Sequence, residues 1–238
     1  MTYVKRIVSV ALALAVSACA TSTPVHYLSL DDGRPTQPGS PSGLRVAVTQ
    51  VNVPEFVDRP QLVVRTDGHQ LRMDDQYEWA EPLRVQIPRV FARYLGEALN
   101  SGRVVALPLD AQNFELDFKV MLDIQRFEVI AGQGVELDVV WRVEARDGRY
   151  FFGRSLAREA IETTKAAVGD YANVLSAENR ALQRTAKQVA SGIAGWLKET
   201  AQNGHALNRN AVPADPLHAS AEWSLVAEAA AHPPLFGS

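Results

Sequence analysis

The sequence predicts an α+β two-layer sandwich: a mixed, mostly antiparallel β-sheet with a long three-strand meander, and two amphipathic helices packed on one face. Three observations carry this. Apolar and polar residues alternate with period two from Phe114 to Ile124 and again from Val135 to Val143, on either side of a glycine turn. Two other stretches, 83–99 and 170–199, space their apolar residues by three and four. The resulting order, β-β-β-β-α-β-β-β-β-α, buries both helix stripes most simply against one face of one sheet.

The chain opens with Lys5 and Arg6, an apolar run over residues 7–16, and small Ser17 and Ala18 ahead of Cys19. That succession is an export signal over residues 1–18. Its apolar run is too short for a hydrocarbon core about 30 Å thick, which takes about 20 residues. Cys19, the only cysteine, would become the first residue after cleavage. Val16-Ser17-Ala18-Cys19 resembles a lipobox, which implies lipidation of Cys19 and a lipidated tether over residues 19–24. One acyl chain anchors marginally at ~0.8 kcal/mol per methylene, whereas two or three retain a protein on its leaflet. Ala20 stands where Asp would signal inner-membrane retention, so the address resembles that of an outer-membrane lipoprotein facing the periplasm. Losing residues 1–18 removes two cations and no acid, moving the net charge from −3 to −5. An acidic domain without a Lys/Arg block argues against nucleic acid, whose phosphates supply most of such affinity.

One domain is expected over residues 25–200. Residues 25–30 read as a first strand, with Val25, Tyr27 and Ser29 on one side and Leu28 and Leu30 on the other. Residues 31–43, rich in Pro and Gly, form a loop. Residues 44–53 alternate as a second strand that stops at Pro54. Residues 61–66 form a third, which Asp67-Gly68 turns into a short fourth at 71–73. The first helix begins at Pro82, which suits a first turn. Pro88 does not suit an interior, so a kink is expected there, or a start near Ile87. Asn100-Ser101-Gly102 ends the helix, and residues 104–107 make a short strand.

The meander follows as strands at 114–125, 135–144 and 150–163, joined by 131–134 and Asp147-Gly148. One face is expected to be wet, its charge run solvated. The last helix, residues 170–199, has Asp170 as a plausible cap. It carries a stripe through Tyr171, Val174, Leu182, Val189, Ile193 and Trp196, and Gly192 and Gly195 offer close approach to the sheet. Residues 201–238, rich in Ala, Asn, His and Pro with one weak helical patch at 223–231, are expected to be a mobile tail.

A search for chemistry returns little. No nucleophile elbow, His-Glu-x-x-His helix or phosphate-cradling loop is present, and no Cys/His cluster has metal spacing. The pairs Asp31-Asp32 and Asp74-Asp75 sit at turns. The expectation is therefore no enzyme, no catalytic residue, no metal and no cofactor. One region stands out: residues 53–65 combine two prolines with a close Asp-Arg, and Tyr77-Glu78-Trp79-Ala80-Glu81-Pro82-Leu83 follows just before the helix. By physics alone, a stiff connection with a helix-entry staple and a binding surface weigh about evenly.

Taken with the Cys19 lipobox and the Tyr27-Leu28 strand, the segments Asp58-Arg59-Pro60-Gln61 and Trp79-Ala80-Glu81-Pro82-Leu83 resemble the PqiC/YmbA family, the ABC-type transport auxiliary lipoproteins. The resemblance spans residues 16–200; Pro88 and the C-terminal extension depart from it. It implies a non-catalytic outer-membrane lipoprotein of an MCE/ABC-type (PqiABC-like) lipid transport system, contributing to envelope integrity. Its partners would be an MCE-domain protein and a permease, and it would form a homo-oligomeric ring. Pro54, Glu55, Asp58, Arg59, Pro60, Gln61, Tyr77 and Trp79 are the expected partner or subunit interface, since Trp, Tyr and Arg dominate interfaces. The alternative is a structural envelope lipoprotein that binds peptidoglycan or an assembly machine and moves no lipid.

Overall fold

A computed structural model describes residues 24–34, 39–40, 43–106, 115–161 and 171–202. The signal over 1–18, Cys19, most of the tether, Asp170 and residues 203–238 lie outside the described residues.

The sheet is organised on β6 (Phe118–Ile130). Along one side, β6 pairs antiparallel with β7 (Gly134–Ala145), which pairs antiparallel with β8 (Tyr150–Glu159). Along its other side, β6 takes two parallel partners in succession: β2 (Val46–Asn52) beside residues 118–123 and β3 (Gln61–Arg65) beside 129–130. Outside β2 lies β5 (Val104–Ala106). Outside β3 come antiparallel β4 (Leu71–Trp79) and then parallel β1 (His26–Leu28). Eight strands form one mixed sheet. Its parallel pairings are short, so the antiparallel ladders carry most of it.

Two helices cover one face. α1 (Leu83–Leu99) lies against β2 and β5, α2 (Ala172–Gln202) against β7 and β8, and the helices pack on each other. The core beneath them is continuous from Leu30, Val46 and Leu62 through Phe91, Val120 and Leu137 to Leu182 and Ile193. The predicted α+β sandwich is therefore the observed fold.

Four local expectations change. β4 is nine residues long rather than a stub at 71–73. Its far end finds a second partner in β1, with His26 opposite Tyr77 and Leu28 opposite Trp79. α1 starts at Leu83 and runs through Pro88 without a break. Pro88 lies only five residues in, so the donor it lacks belongs to the second turn, and the helix ends on left-handed Asn100 (φ 48°). The alternation of β6 switches face at an extra residue, Gln125: Ile124 opposes Val139 but Arg126 opposes Asp138. That bulge brings Phe127 and Val129 onto the core face, where continued alternation would have placed charges.

The fourth change concerns the face predicted to be wet. On β7 that face carries Glu136, Asp138, Val140, Arg142 and Glu144, yet Glu136, Val140 and Arg142 are buried. Long neighbouring side chains cover them. Arg126 and Arg158 both bind Glu136, at 2.8 and 2.7 Å, and Arg154 binds Asp138 at 2.6 Å. Arg142 lies 4.0 Å over the ring of Tyr150. Burial raises the Glu136 carboxyl, but Arg158 and Arg126 outweigh it and hold the group below its ordinary range.

Of the two helix glycines, only Gly192 serves close approach, since a Cβ there would lie 3.1 Å from Phe151 and 3.2 Å from Trp141. At Gly195 nothing lies within 4 Å. Gly153 of β8 is tighter, because its Cβ would meet the Trp141 ring at 2.4 Å. The Trp141 indole N–H donates to Ser155 at 2.9 Å, which fixes the ring. Gly153→Ala is thus expected to lower unfolding free energy by about 1–3 kcal/mol in chemical denaturation, whereas Gly195→Ala leaves it unchanged or raises it by up to about 1 kcal/mol.

Candidate functional site

The two segments singled out in the sequence meet at the N-terminus of α1. The first four amides of a helix lack intrahelical partners, and Pro82 offers no side chain to cap them. Asp58 supplies the acceptor from 26 residues earlier. Its Oδ1 accepts from the Arg84 amide at 3.1 Å and its Oδ2 pairs with the Arg84 guanidinium at 2.6 Å. The Trp79 amide donates to the Pro60 carbonyl at 2.7 Å, and the Ala80 amide to that of Leu28 at 2.8 Å. Gln61 stands opposite Glu78. The helix entrance is thus clamped between the 54–61 turn and β1.

A second polar contact completes the clamp. The buried Gln86 side chain accepts from the Leu30 amide at 2.9 Å and donates to the Glu81 carbonyl at 2.6 Å. Gln86 falls off the three-and-four apolar spacing of α1, a position that periodicity alone assigns to solvent. Only the strap over residues 29–34 running beside that helix turns it inward.

The expected interface residues separate by burial. Trp79 is only 5% exposed and belongs to the core, so its indole is not offered to a partner at the surface. Asp58 is occupied as the cap, with its side chain 10% exposed. Pro54, Arg59, Gln61 and Tyr77 are half-buried, and Glu55 and Pro60 are exposed. Arg59 donates one N–H to the Met73 sulfur at 3.4 Å, and its Nε has no acceptor. Tyr77 stacks on His26 at 5.2 Å and contacts Tyr171 at 4.1 Å. Register places Tyr27, Glu78 and Gln61 side by side on the uncovered face. Tyr27, 70% exposed, is the large apolar residue that the site adds to those read from sequence.

Two titratable groups have strongly raised values. Burial, with a 2.6 Å hydrogen bond to Asp74, pushes the Tyr171 hydroxyl up to about 12. Burial alone pushes Glu178, on the core-facing stripe of α2, to about 8. One of its carboxyl oxygens has no hydrogen-bond partner. Glu178 escaped the sequence reading because a lone acid in a helix looks like a solvated one. Among the described residues no group of three or more His, Cys, Asp or Glu is placed to hold a metal, and no helix is long and apolar enough to cross a membrane.

With the helix-entrance clamp in place, comparison with known proteins becomes informative. Residues 27–190 match the family of the ABC-type transport auxiliary lipoprotein component. The chain belongs to that family. The match includes both clamp segments and both helix starts. No curated protein matches the sequence. A crystal structure of an uncharacterised protein shares the fold, with a TM-score of 0.57 and 18% identity over 72% of this chain and 99% of that one. A Xanthomonas campestris protein is 17% identical, with a TM-score of 0.48 over 75% of this chain and 97% of its own. A Caulobacter crescentus protein described as a candidate lipoprotein is 16% identical, with a TM-score of 0.35 over 47% and 82%.

Two outcomes follow from this geometry. Asp58→Ala is expected to cost about 0.5–2 kcal/mol of stability by uncapping α1, with Asp58→Asn retaining most of it, in urea titrations. Glu178 keeps its proton in the folded chain up to about pH 8 but loses it near 4.5 when unfolded. Its contribution therefore weakens as pH rises from about 4.5 and levels off above about 8. Glu178→Gln should match the native protein near pH 4.5 and exceed it at pH 8, by at most about 5 kcal/mol at 1.36 kcal/mol per unit.

Proposed function

We propose that this protein is the non-catalytic, lipid-anchored arm of an MCE/ABC-type system that moves lipid between the membranes of the envelope. In this reading residues 1–18 are removed and Cys19 is lipidated. Residues 19–24 tether the 25–200 domain to the outer membrane, facing the periplasm. The observation that carries the reading is family membership over 27–190, a range that includes the segments the fold brings into one clamp.

The docking face for an MCE protein, or for the next copy in a ring, is the uncovered end of β1, β4 and β3 with the 54–60 turn. Glu55, Pro60 and Tyr27 are its exposed members, with Arg59 and Gln61 half-buried among them, whereas Tyr77 lies on the opposite, helix-covered side against Tyr171. Tyr and Arg are among the residue types that dominate interfaces. Asp58 and Trp79 hold this face in place from below rather than touching a partner.

Crosslinking from membranes followed by mass spectrometry of proteins and lipids tests the proposal. The expected catch is an MCE-domain protein and a multi-span permease, reduced at least fivefold by Tyr27→Ala combined with Arg59→Ala, with thermal melting unchanged. Cys19→Ser should abolish palmitate incorporation and move the protein to the soluble fraction. Recovery of peptidoglycan alone, with no transport protein, would replace this reading with that of a structural envelope lipoprotein.

A further inference from the structure

A cavity of about 350 Å³ lies in the crease between α1 and the strap of residues 29–34. Its wall carries both signs of charge: Arg34, Arg89 and Arg93 stand with Asp31, Glu81 and Ser29. Arg93, its side chain 10% exposed, anchors this wall. One terminal nitrogen does nearly all its bonding, to Asp31 and Asp32 at 3.0 Å each and to the Arg34 carbonyl at 3.4 Å. The other reaches only the Tyr94 hydroxyl at 3.5 Å, and Nε has no acceptor. A guanidinium has five donors, and leaving them unfilled away from water is unfavourable.

Arg89 lies one helical turn from Arg93, on the same face of α1. Its side chain is 55% exposed and paired with Glu81. Two guanidiniums so placed suit a phosphate with two free oxygens. A simple anion, however, would also meet Asp31 and Glu81, and a simple cation would meet three arginines. A ligand with a phosphodiester at one end and an ammonium at the other satisfies both sets of charges.

We propose that this cavity binds the phosphoethanolamine headgroup of a membrane lipid, its phosphate on Arg89 and Arg93 and its ammonium on Asp31 and Glu81. Four residues lie between Cys19 and Pro24, a reach of at most about 18 Å, so an anchored chain holds the start of β1, which leads into the strap, close to its own leaflet. That last point rests on the lipid anchor proposed above; the match of charges does not.

The test uses the full chain in a phosphate-free detergent, titrated calorimetrically with glycerophosphoethanolamine, glycerophosphoglycerol and inorganic phosphate. Saturable binding of the first is expected, at least tenfold tighter than either of the others. Arg89→Ala and Asp31→Asn, at exposed positions, should each weaken it at least fivefold without lowering the melting temperature. In nanodiscs, phosphatidylethanolamine but not phosphatidylglycerol should slow hydrogen exchange over residues 29–34. No saturable binding, equal binding of glycerophosphoglycerol or phosphate, indifference to both substitutions, or no lipid-specific protection would each overturn the proposal. Crosslinking to transport proteins is scored on the same preparations. Lost headgroup binding with retained crosslinks rejects only the cavity, and the converse rejects only the transport role.

Discussion

The fold depends on one strand having enough length to be shared. β6 offers 13 residues to β7 on one side, and on the other divides itself between β2 and β3. Two half-sheets that never pair with each other among the described residues are joined only through it. The Gln125 bulge makes the division work: it resets which face the second half presents, so Phe127 and Val129 continue the core that Phe118 to Ile124 begins. Without that reset, one half of the strand would point its charges at the helices.

The same arrangement governs the charges. β7 is covered by helices on its inner face and flanked by full-length strands, so its outer carboxylates are partly taken from water with no second layer above them. Arginines from β6 and β8 fold over them, and Glu128 holds Arg65 across the β3–β6 seam. Isolated surface pairs contribute little, but these are pairs whose acidic partner is buried, where removing one member leaves an uncompensated charge. The outer face is thus closed by its own cations.

The clamp at the α1 entrance holds one end of the sheet in shape. Asp58, Trp79 and Gln86 are all consumed in fixing the relation of β1, β4 and α1. What remains exposed around them, Tyr27, Glu55 and Pro60, is rigidly presented as a consequence. The two segments singled out in the sequence are therefore in contact for a structural reason: one supplies the cap, and the other is the helix start that lacks one.

The sequence by itself determined the fold class, the long hairpins and both helices, because period-two and period-three-to-four burial are local properties written in consecutive residues. It also located the two segments of the candidate site. It did not determine their roles. That Asp58 caps a helix 26 residues away, that Trp79 is core rather than contact, and that Gln86 and Glu178 are buried depends on which element lies alongside. So does the length of β4, whose alternation is interrupted at Asp74-Asp75-Gln76 and whose far end is held as a strand between β1 and the start of β3. Those facts arise from contacts between distant parts of the chain, and only the tertiary structure decides them.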